Sequence, residues 1–371
     1  MKNKIIWLVV AVVLVGGVAW RQSRNNSDTK SDTVKIGAII PLTGWGAYWG
    51  EGYIKGAHLA VDEIRAQGGK IEVVIEDGAT EAQKSASAAQ KLIAVDGVDA
   101  LTVEFTGPSS AVSPISAQNK IPLIYNSLVE KFLDENPYSF KMYFDIGKQC
   151  TAAAEYLADN GAKKIGGFLL NLDFAPECKV AIEKVAQEKG VASKIYLFNI
   201  DVTDFRTMLA KMKNDHVDSI IPVFYEDHSV SFFKQKDVLD FNVPIFTGIG
   251  IPDAFTDKVI SSVPQRSIEG VITYDQPVDQ KIREKLSIKY PAITEKDFVP
   301  AVFGYDEVMY LYRAISQCDK SDEKCVVSKM KEDTYVGGLQ AAGFGDDRVL
   351  NMSPHYYKYT NGKFHEFLLE Q

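Results

Sequence analysis

Short apolar runs alternate with longer amphipathic segments along most of this chain. A short apolar run favours a buried strand, whereas apolar residues spaced three and four positions apart favour a helix. The runs predict strands at residues 34–40, 71–76, 100–103, 123–125, 165–170, 193–198, 219–224 and 244–248. The segments between them predict helices, including 82–95, 110–120, 151–160, 176–189, 205–214 and 229–239. This alternation indicates an α/β fold in which helices cover both faces of parallel sheets.

Two later stretches depart from the alternation. Residues 301–315 are apolar nearly all round, which predicts a buried helix. Residues 355–359 and 364–368 flank Thr360-Asn361-Gly362-Lys363, and Asn-Gly between apolar runs favours a tight hairpin. With 371 residues the chain exceeds the size at which one hydrophobic core stops growing, so we expect two lobes.

The first predicted strand leads into a loop rich in glycine and tryptophan, Trp45-Gly46-Ala47-Tyr48-Trp49-Gly50. The helix that follows places Ala57, Ala60, Val61 and Ile64 on one face, which is the spacing of a helix packed on a sheet. Such a loop brings backbone N–H groups and aromatic rings to the carboxyl edge of a parallel sheet, where open α/β sheets bind their ligands. The pattern favours a binding protein over an enzyme.

The chain begins with a short basic start and an uncharged apolar run at residues 5–20. The run is longer than most signal-peptide cores but slightly shorter than the ~20 residues of a membrane-spanning helix, and Trp7 and Trp20 lie near its ends. We expect an uncleaved membrane anchor at 5–20 after a cytoplasmic stub at 1–4; a cleaved signal peptide is the alternative. The polar stretch 21–33 suits a flexible linker to an exported body.

The net charge and the cysteine content exclude some classes of partner and of site. The formal net charge of −8 argues against nucleic acid as a partner. Four cysteines in an exported chain permit two disulfides, with four free thiols as the alternative. Cys318 and Cys325 flank a polar loop and form the more credible pair, which leaves Cys150 and Cys178 for the other. Because no C-x-x-C is present, neither a zinc site nor a thioredoxin-type redox centre is indicated.

The residue types that act in catalysis do not form a recognised catalytic motif in this sequence. The five histidines lack the spacing of an HExxH zinc site, and no G-x-S-x-G nucleophile elbow is present. Gly248-Ile249-Gly250 lacks the third glycine of a dinucleotide-binding loop, and the sequence contains no P-loop. We therefore expect no enzyme activity, no metal and no cofactor.

The order Pro41-Leu42-Thr43-Gly44, then Trp49-Gly50, then a G-A-x-x-A-x-x-x-I helix resembles the first βα unit of the bacterial leucine-binding-protein family. That family comprises extracytoplasmic solute receptors of the type I periplasmic binding fold, which feed ABC importers. The resemblance implies two Rossmann-like lobes with parallel-sheet cores, joined by a three-strand hinge. It places the hinge crossings near residues 144–147, 274–277 and 336–339. Lobe 1 is then expected at 34–145 plus 276–336, and lobe 2 at 147–274 plus 338–371.

The resemblance also implies a ligand site in the cleft between the lobes. In the family the loop equivalent to residues 104–110 holds an amino-acid carboxylate, and Thr106 matches its Ser or Thr position. Loops at the carboxyl ends of the predicted strands carry polar and aromatic side chains together, and these loops and the resemblance give the candidate ligand-binding residues Trp49, Phe105, Thr106, Asn126, Ser127, Phe174, Tyr225, Asp227 and Asp253. Structural roles are the alternatives: core packing for Trp49, helix capping for Thr106 and a helix-start carboxylate for Asp253.

Two features by which relatives hold an α-ammonium group are missing. Val129 stands where those relatives carry a Thr, and Gly250 stands where they carry an acidic residue. A buried ammonium group without a carboxylate partner costs several kcal/mol. Simple leucine or valine is therefore less expected than an amide, a small peptide, an aromatic metabolite or an amino acid in a shifted pose.

Together these patterns predict a receptor that captures an amino acid, amide or related metabolite and delivers it to ABC permease subunits on other chains. We expect a monomer, anchored in the membrane through its N-terminal segment, whose hinge closes because the ligand binds the closed state more tightly. The alternative is a membrane-tethered ligand sensor that acts on a separate signalling partner. Alanine substitution of Trp49 or Tyr225 is expected to weaken binding without unfolding the protein.

Overall fold

The computed structural model describes residues 32–276 and 278–369. The expected stub and anchor at residues 1–20, and all but the last two residues of the expected linker, lie outside the described residues. Within the described part of the chain, no helix combines the length and the apolar character that a membrane crossing requires.

The first lobe is built on a parallel five-stranded sheet with the order β2-β1-β3-β4-β5. Its strands are β1 (Val34–Ile40), β2 (Ile71–Asp77), β3 (Ala100–Glu104), β4 (Leu123–Asn126) and β5 (Ser139–Lys141). The helices between them are α1 (Ala47–Ala66), α2 (Ala82–Lys91), α3 (Thr106–Asn119) and α4 (Phe132–Glu135), with a π-helical turn at Leu92–Asp96. β1 and β3 are almost wholly buried because helices cover both faces of the sheet.

The second lobe repeats the strand–helix alternation around a parallel sheet with the order β7-β6-β8. Its elements are α5 (Ile146–Asp159), β6 (Lys164–Leu170), α6 (Ala175–Lys189), β7 (Ala192–Phe198), α7 (Arg206–Asn214), β8 (Ser219–Val223) and α8 (Glu226–Val238). Three short helices follow, namely α9 (Ile251–Ala254), α10 (Asp257–Ser262) and α11 (Gln265–Ile268), and then β9 (Ile272–Asp275). The strand predicted at 244–248 is reduced to two parallel bridges, Ile220 with Ile245 and Phe246 with Ile272, which join β8 to β9.

The chain then returns to the first lobe with α12 (Gln280–Lys289), α13 (Glu295–Ile315) and α14 (Glu323–Glu332). α13 packs against α1 at very short range, and glycine makes this approach possible. A Cβ atom at Gly56 would lie 1.5 Å from the carbonyl oxygen of Ala301, and one at Gly304 would lie 2.3 Å from the carbonyl oxygen of Tyr53. The predicted buried helix at 301–315 is thus the inner part of α13. The predicted hairpin is formed by β10 (His355–Thr360) and β11 (Lys363–Phe367), and β10 also pairs with β9.

The third connection between the lobes lies later in the chain than predicted. Val349 forms a parallel bridge with Lys141 at the free edge of β5, and the Arg348 guanidinium donates to the carbonyl oxygen of Asn136 at 2.6 Å. The ring of Phe344 lies 5.2 Å from that of Phe140. Residues up to 350 therefore belong to lobe 1 rather than to lobe 2, because they satisfy backbone groups at the edge of the first sheet.

The four cysteines form two disulfides, Cys150 with Cys178 and Cys318 with Cys325. The first joins α5 to α6 in the second lobe, and both of its cysteines are fully buried. The second closes the loop between α13 and α14.

Candidate functional site

A small cavity lies at the carboxyl edge of the first sheet, where the second lobe covers it. Its water-accessible volume is about 20 Å³, which is room for about one water molecule. The residues that line it are Trp49, Glu104, Phe105, Thr106, Asn126, Ser127, Leu128, Tyr143 and Tyr225. Six of the nine predicted ligand-binding residues are therefore brought together at one place.

The floor of the cavity is the N-terminus of α3. Thr106 and Gly107 begin this helix, so their N–H groups have no acceptor within it, and Pro108 has no N–H group. The hydroxyl oxygen of Thr106 accepts hydrogen bonds from Ser127 Oγ and from the Leu128 N–H, both at 3.2 Å, which leaves its own proton available. These donors and the helix dipole favour a carboxylate or carbonyl oxygen.

Phe105 immediately before α3 has an unusual backbone conformation, with φ of +72° and ψ of 149°. This region is essentially restricted to glycine, and a side chain there costs about 1–3 kcal/mol. The conformation turns the chain sharply from β3 into α3. It places the Phe105 ring 5.0 Å from Trp45 and 6.1 Å from Trp49, so that three aromatic rings form one wall.

A buried carboxyl group lies behind this wall. Glu104 ends β3 and is only 1% exposed. Its Oε2 atom accepts hydrogen bonds from Trp49 Nε1 at 2.6 Å and from Asn126 Nδ2 at 2.7 Å. Burial raises the pKa of Glu104 to about 7, and the hydrogen bonds that it accepts oppose the rise. Glu104 therefore fixes the orientation of two candidate ligand-binding side chains.

A second buried carboxyl group, that of Glu307 in α13, lies within hydrogen-bonding reach of Glu104. Glu307 is fully buried, and its Oε2 atom accepts a hydrogen bond from the Tyr53 hydroxyl at 2.9 Å. Its pKa is raised well above the ordinary value, first by burial and then by the charge of Glu104. Sequence reasoning missed Glu307, although an acidic residue inside an apolar helix was a usable signal.

The second lobe closes the cavity with Tyr225, which directly precedes α8. The Tyr225 ring lies 4.6 Å from the ring of Trp45 in a tilted arrangement. At the hinge, Lys148 of α5 forms an ion pair with Glu130, with Nζ and Oε1 2.9 Å apart. Both contacts join the lobes, so the structure is in a closed arrangement.

Two predicted ligand-binding residues, Phe174 and Asp227, are not brought to the cavity. Phe174 is buried in the core of the second lobe. Asp227 lies in the first turn of α8, is exposed, and pairs with Lys258, with Oδ1 and Nζ 2.6 Å apart. Asp253 lies in α9, and its side chain is outside what the structure describes.

Among the side chains that the structure describes around the cavity, none replaces either missing ammonium-binding group. Val129 is buried and its N–H group donates to Ser127 Oγ at 3.1 Å, and Gly250 precedes α9 with no side chain to offer. Among the described residues that line the cavity, Glu104 is the only acidic one. The negative charge of the pocket therefore comes from the first lobe.

Comparison with known proteins agrees with this architecture. The chain is 25% identical over 374 residues to Leu/Ile/Val-binding protein homolog 1 of Brucella abortus, with 95% of each chain covered. Its fold matches the leucine-binding protein LivK of Thermotoga maritima with a TM-score of 0.79, at 22% identity over 91% of this chain and 98% of that one. It also matches a solute-binding protein of an ABC transporter from R. palustris in complex with benzoate, with a TM-score of 0.76, at 18% identity over 90% and 95%. Residues 33–357 match the family model described as periplasmic binding protein, so the chain belongs to the periplasmic binding protein family.

Proposed function

We propose that this protein captures a small solute between its two lobes outside the cytoplasm and delivers it to an ABC importer. The observation that carries the proposal is the cavity at the carboxyl edge of the first sheet, whose walls must move apart to admit a solute larger than one water molecule. One lobe supplies a helix N-terminus and hydroxyl groups, and the other closes over them with an aromatic ring. Two lobes that close on a ligand in this way are a common device for capturing solutes.

The chemistry of the cavity supports a solute with an oxygen-bearing head and an apolar or aromatic body. The Thr106 and Gly107 N–H groups and the Thr106 hydroxyl suit a carboxylate or amide oxygen. The rings of Trp49, Phe105 and Tyr225 suit a flat or branched apolar group. Named relatives include both Leu/Ile/Val-binding protein homologues and a benzoate complex. We propose an amino acid, an amide or a related aromatic acid as the solute.

A binding panel on the full chain tests this proposal. The probes are leucine, isoleucine, leucinamide, benzoate and 4-hydroxybenzoate, measured by calorimetry and by thermal unfolding. A solute at 100 times its dissociation constant should stabilise the protein by about 2.7 kcal/mol. If the protein is folded and none of these probes binds to it, the proposed solute classes are contradicted.

Matched variants locate the binding site. Thr106→Val keeps the shape of the side chain but removes the hydroxyl, and it should weaken binding about tenfold, as expected for one lost hydrogen bond to a charged group. Ser110→Ala is the control, because the Ser110 hydroxyl donates to the Gly107 carbonyl oxygen within α3 and Ser110 is not among the described residues that line the cavity. Delivery is tested separately by cellular uptake of the bound solute, which should fall when the gene is deleted and return with the wild-type protein.

A further inference from the structure

Glu104 and Glu307 form a carboxyl pair that the cavity description does not explain. Glu104 Oε2 and Glu307 Oε2 each have hydrogen-bond donors, namely Trp49 and Asn126 for the first and Tyr53 for the second. Glu104 Oε1 and Glu307 Oε1 are buried and meet no donor if both groups are ionised. A proton on the pair makes one carboxyl group a donor to the other, which is the only donor that the two groups can supply to each other.

The described residues around the pair supply no positive charge. α1 presents Trp49 and Tyr53, β3 presents Thr102 and β4 presents Asn126. In the part of the chain that the structure describes, no lysine or arginine donates to either carboxyl group. Two buried carboxylates in contact repel each other strongly and lose their hydration, so the doubly ionised state is disfavoured.

The hydrogen-bond directions show which group keeps the proton. Oε2 of Glu104 receives two N–H donors, which favours the ionised form of that group. The partners of Glu307 are the hydroxyl groups of Tyr53 and Thr102, which bond to each other at 2.7 Å, and a hydroxyl group can accept as well as donate. The proton therefore belongs on Glu307, and the charge belongs on Glu104.

We propose that Glu307 is a positioning residue of the solute pocket: protonated Glu307 donates to Glu104, and the Glu104 carboxylate thereby holds Trp49 and Asn126 in the pocket wall. The inference rests on the proposed function, because the wall in question is that of the proposed solute site. It adds a residue in α13 that touches no solute. It also makes the order of the wall depend on the number of protons on the pair.

The indole N–H resonance of Trp49 in the full chain reports directly on this arrangement. The resonance is identified by its loss in Trp49→Phe and followed from pH 5 to pH 9. In the wild-type protein it should titrate with a midpoint near the pKa of Glu104, about 7. Glu307→Gln should keep that midpoint, because the amide remains a donor. Glu307→Met fills a similar volume without a donor, and it should raise the midpoint by about 1–2 pH units.

Asp306 provides the matched control. It is the neighbouring residue in α13 and is fully buried, but it accepts the N–H groups of Gly338 and Leu339 and is not among the described residues that line the pocket. Burial raises its pKa to about 7 as well, so Asp306→Asn should leave the Trp49 titration unchanged. Equal midpoints in Glu307→Gln and Glu307→Met, or loss of the Trp49 titration in Asp306→Asn, would overturn the inference.

Solute binding separates this inference from the proposed function. Benzoate and leucine are titrated at pH 8 into the wild type, Glu307→Gln and Glu307→Met, each first shown to be folded by thermal unfolding. Glu307→Met should bind at least threefold more weakly than Glu307→Gln, and equal affinity would overturn the positioning role. If neither probe binds to any of the three proteins, the proposed solute classes fail, whereas the Trp49 titration still decides whether the pair holds its proton.

Discussion

At the scale of single residues, Trp45 before α1 and Trp49 in its first turn have different roles. Trp49 is 3% exposed, donates to Glu104 and packs 5.4 Å from the ring of Phe303, whereas Trp45 is 42% exposed and contacts Tyr225 of the other lobe. The expectation that Trp49→Ala leaves the fold intact therefore needs revision. We predict that Trp49→Ala lowers the free energy of unfolding by about 3–5 kcal/mol.

Trp45→Ala is the matched substitution. Because its ring is partly exposed, we expect a loss of less than about 1 kcal/mol in the free energy of unfolding, but weaker solute binding through the lost Tyr225 contact. Urea denaturation followed by circular dichroism measures both variants. A Trp45→Ala variant that is as unstable as Trp49→Ala would show that the exposed ring supports the fold rather than closure.

A second prediction at the scale of single residues concerns the backbone conformation of Phe105. Phe105→Ala and Phe105→Gly both remove the ring, but only glycine adopts the observed backbone conformation without strain. The glycine variant should therefore be the more stable by about 1–3 kcal/mol, the reverse of their usual order in regular structure. The comparison uses urea denaturation. If alanine is the more stable, the positive φ is not maintained in solution.

The sequence predicted much of the site at this scale and missed a specific part of it. The loops that follow β1, β3 and β4 were identified, since polar and aromatic residues there follow buried strands. The Glu104–Glu307 pair was not, because its members are 203 positions apart in the chain and meet only through the packing of α13. Asp227 was misplaced because the direction of a side chain in the first turn of a helix depends on where the helix begins.

At the scale of elements, the two disulfides constrain loops of different length. Cys150 and Cys178 are 28 positions apart, and Cys318 and Cys325 are 7 apart. In the chain-entropy model the longer loop gives the larger stabilisation, about 3.6 against about 2.4 kcal/mol. The first pair is also buried, so its removal leaves unfilled space between α5 and α6.

We therefore predict that replacing Cys150 and Cys178 together by alanine lowers the free energy of unfolding more than replacing Cys318 and Cys325 together. The difference should be about 1 kcal/mol or larger. Chemical denaturation of both double variants under non-reducing conditions measures it. A larger loss from the short-loop pair would mean that local packing between α13 and α14, not loop length, sets the order.

Most elements followed from the hydrophobic pattern, and the exceptions have physical reasons. β5 is only three residues long, too short for a recognisable alternation. The predicted strand at 244–248 forms isolated bridges because the chain there pairs for only one residue with each neighbour. The close approach of α1 and α13 at Gly56 and Gly304 depends on a long-range contact that no local pattern reveals.

At the scale of the whole molecule, two α/β lobes were predicted from length and alternation, whereas the crossing points came from a family resemblance. The third crossing was misplaced because the residues up to 350 are stabilised by the edge of β5, a contact invisible in the local sequence. The lobes close over Glu104, whose ordinary pKa near 4.5 is raised to about 7 by burial. Opening the cleft admits water to the cavity that Glu104 lines and should return its pKa toward the ordinary value.

The closed state then binds more protons than the open state between about pH 4.5 and pH 7. The free energy that favours the closed state over the open state therefore falls as pH rises through that window, and it is constant above pH 7. We predict that the dissociation constant of the captured solute rises between pH 5.5 and pH 7 by up to about tenfold per pH unit, and then levels off. Calorimetry across this range measures the slope. Glu104→Gln cannot titrate and should flatten it, while Asp306→Asn should not. A slope of opposite sign would show that the order that the Glu104 carboxylate gives to the pocket wall outweighs the cost of burying its charge.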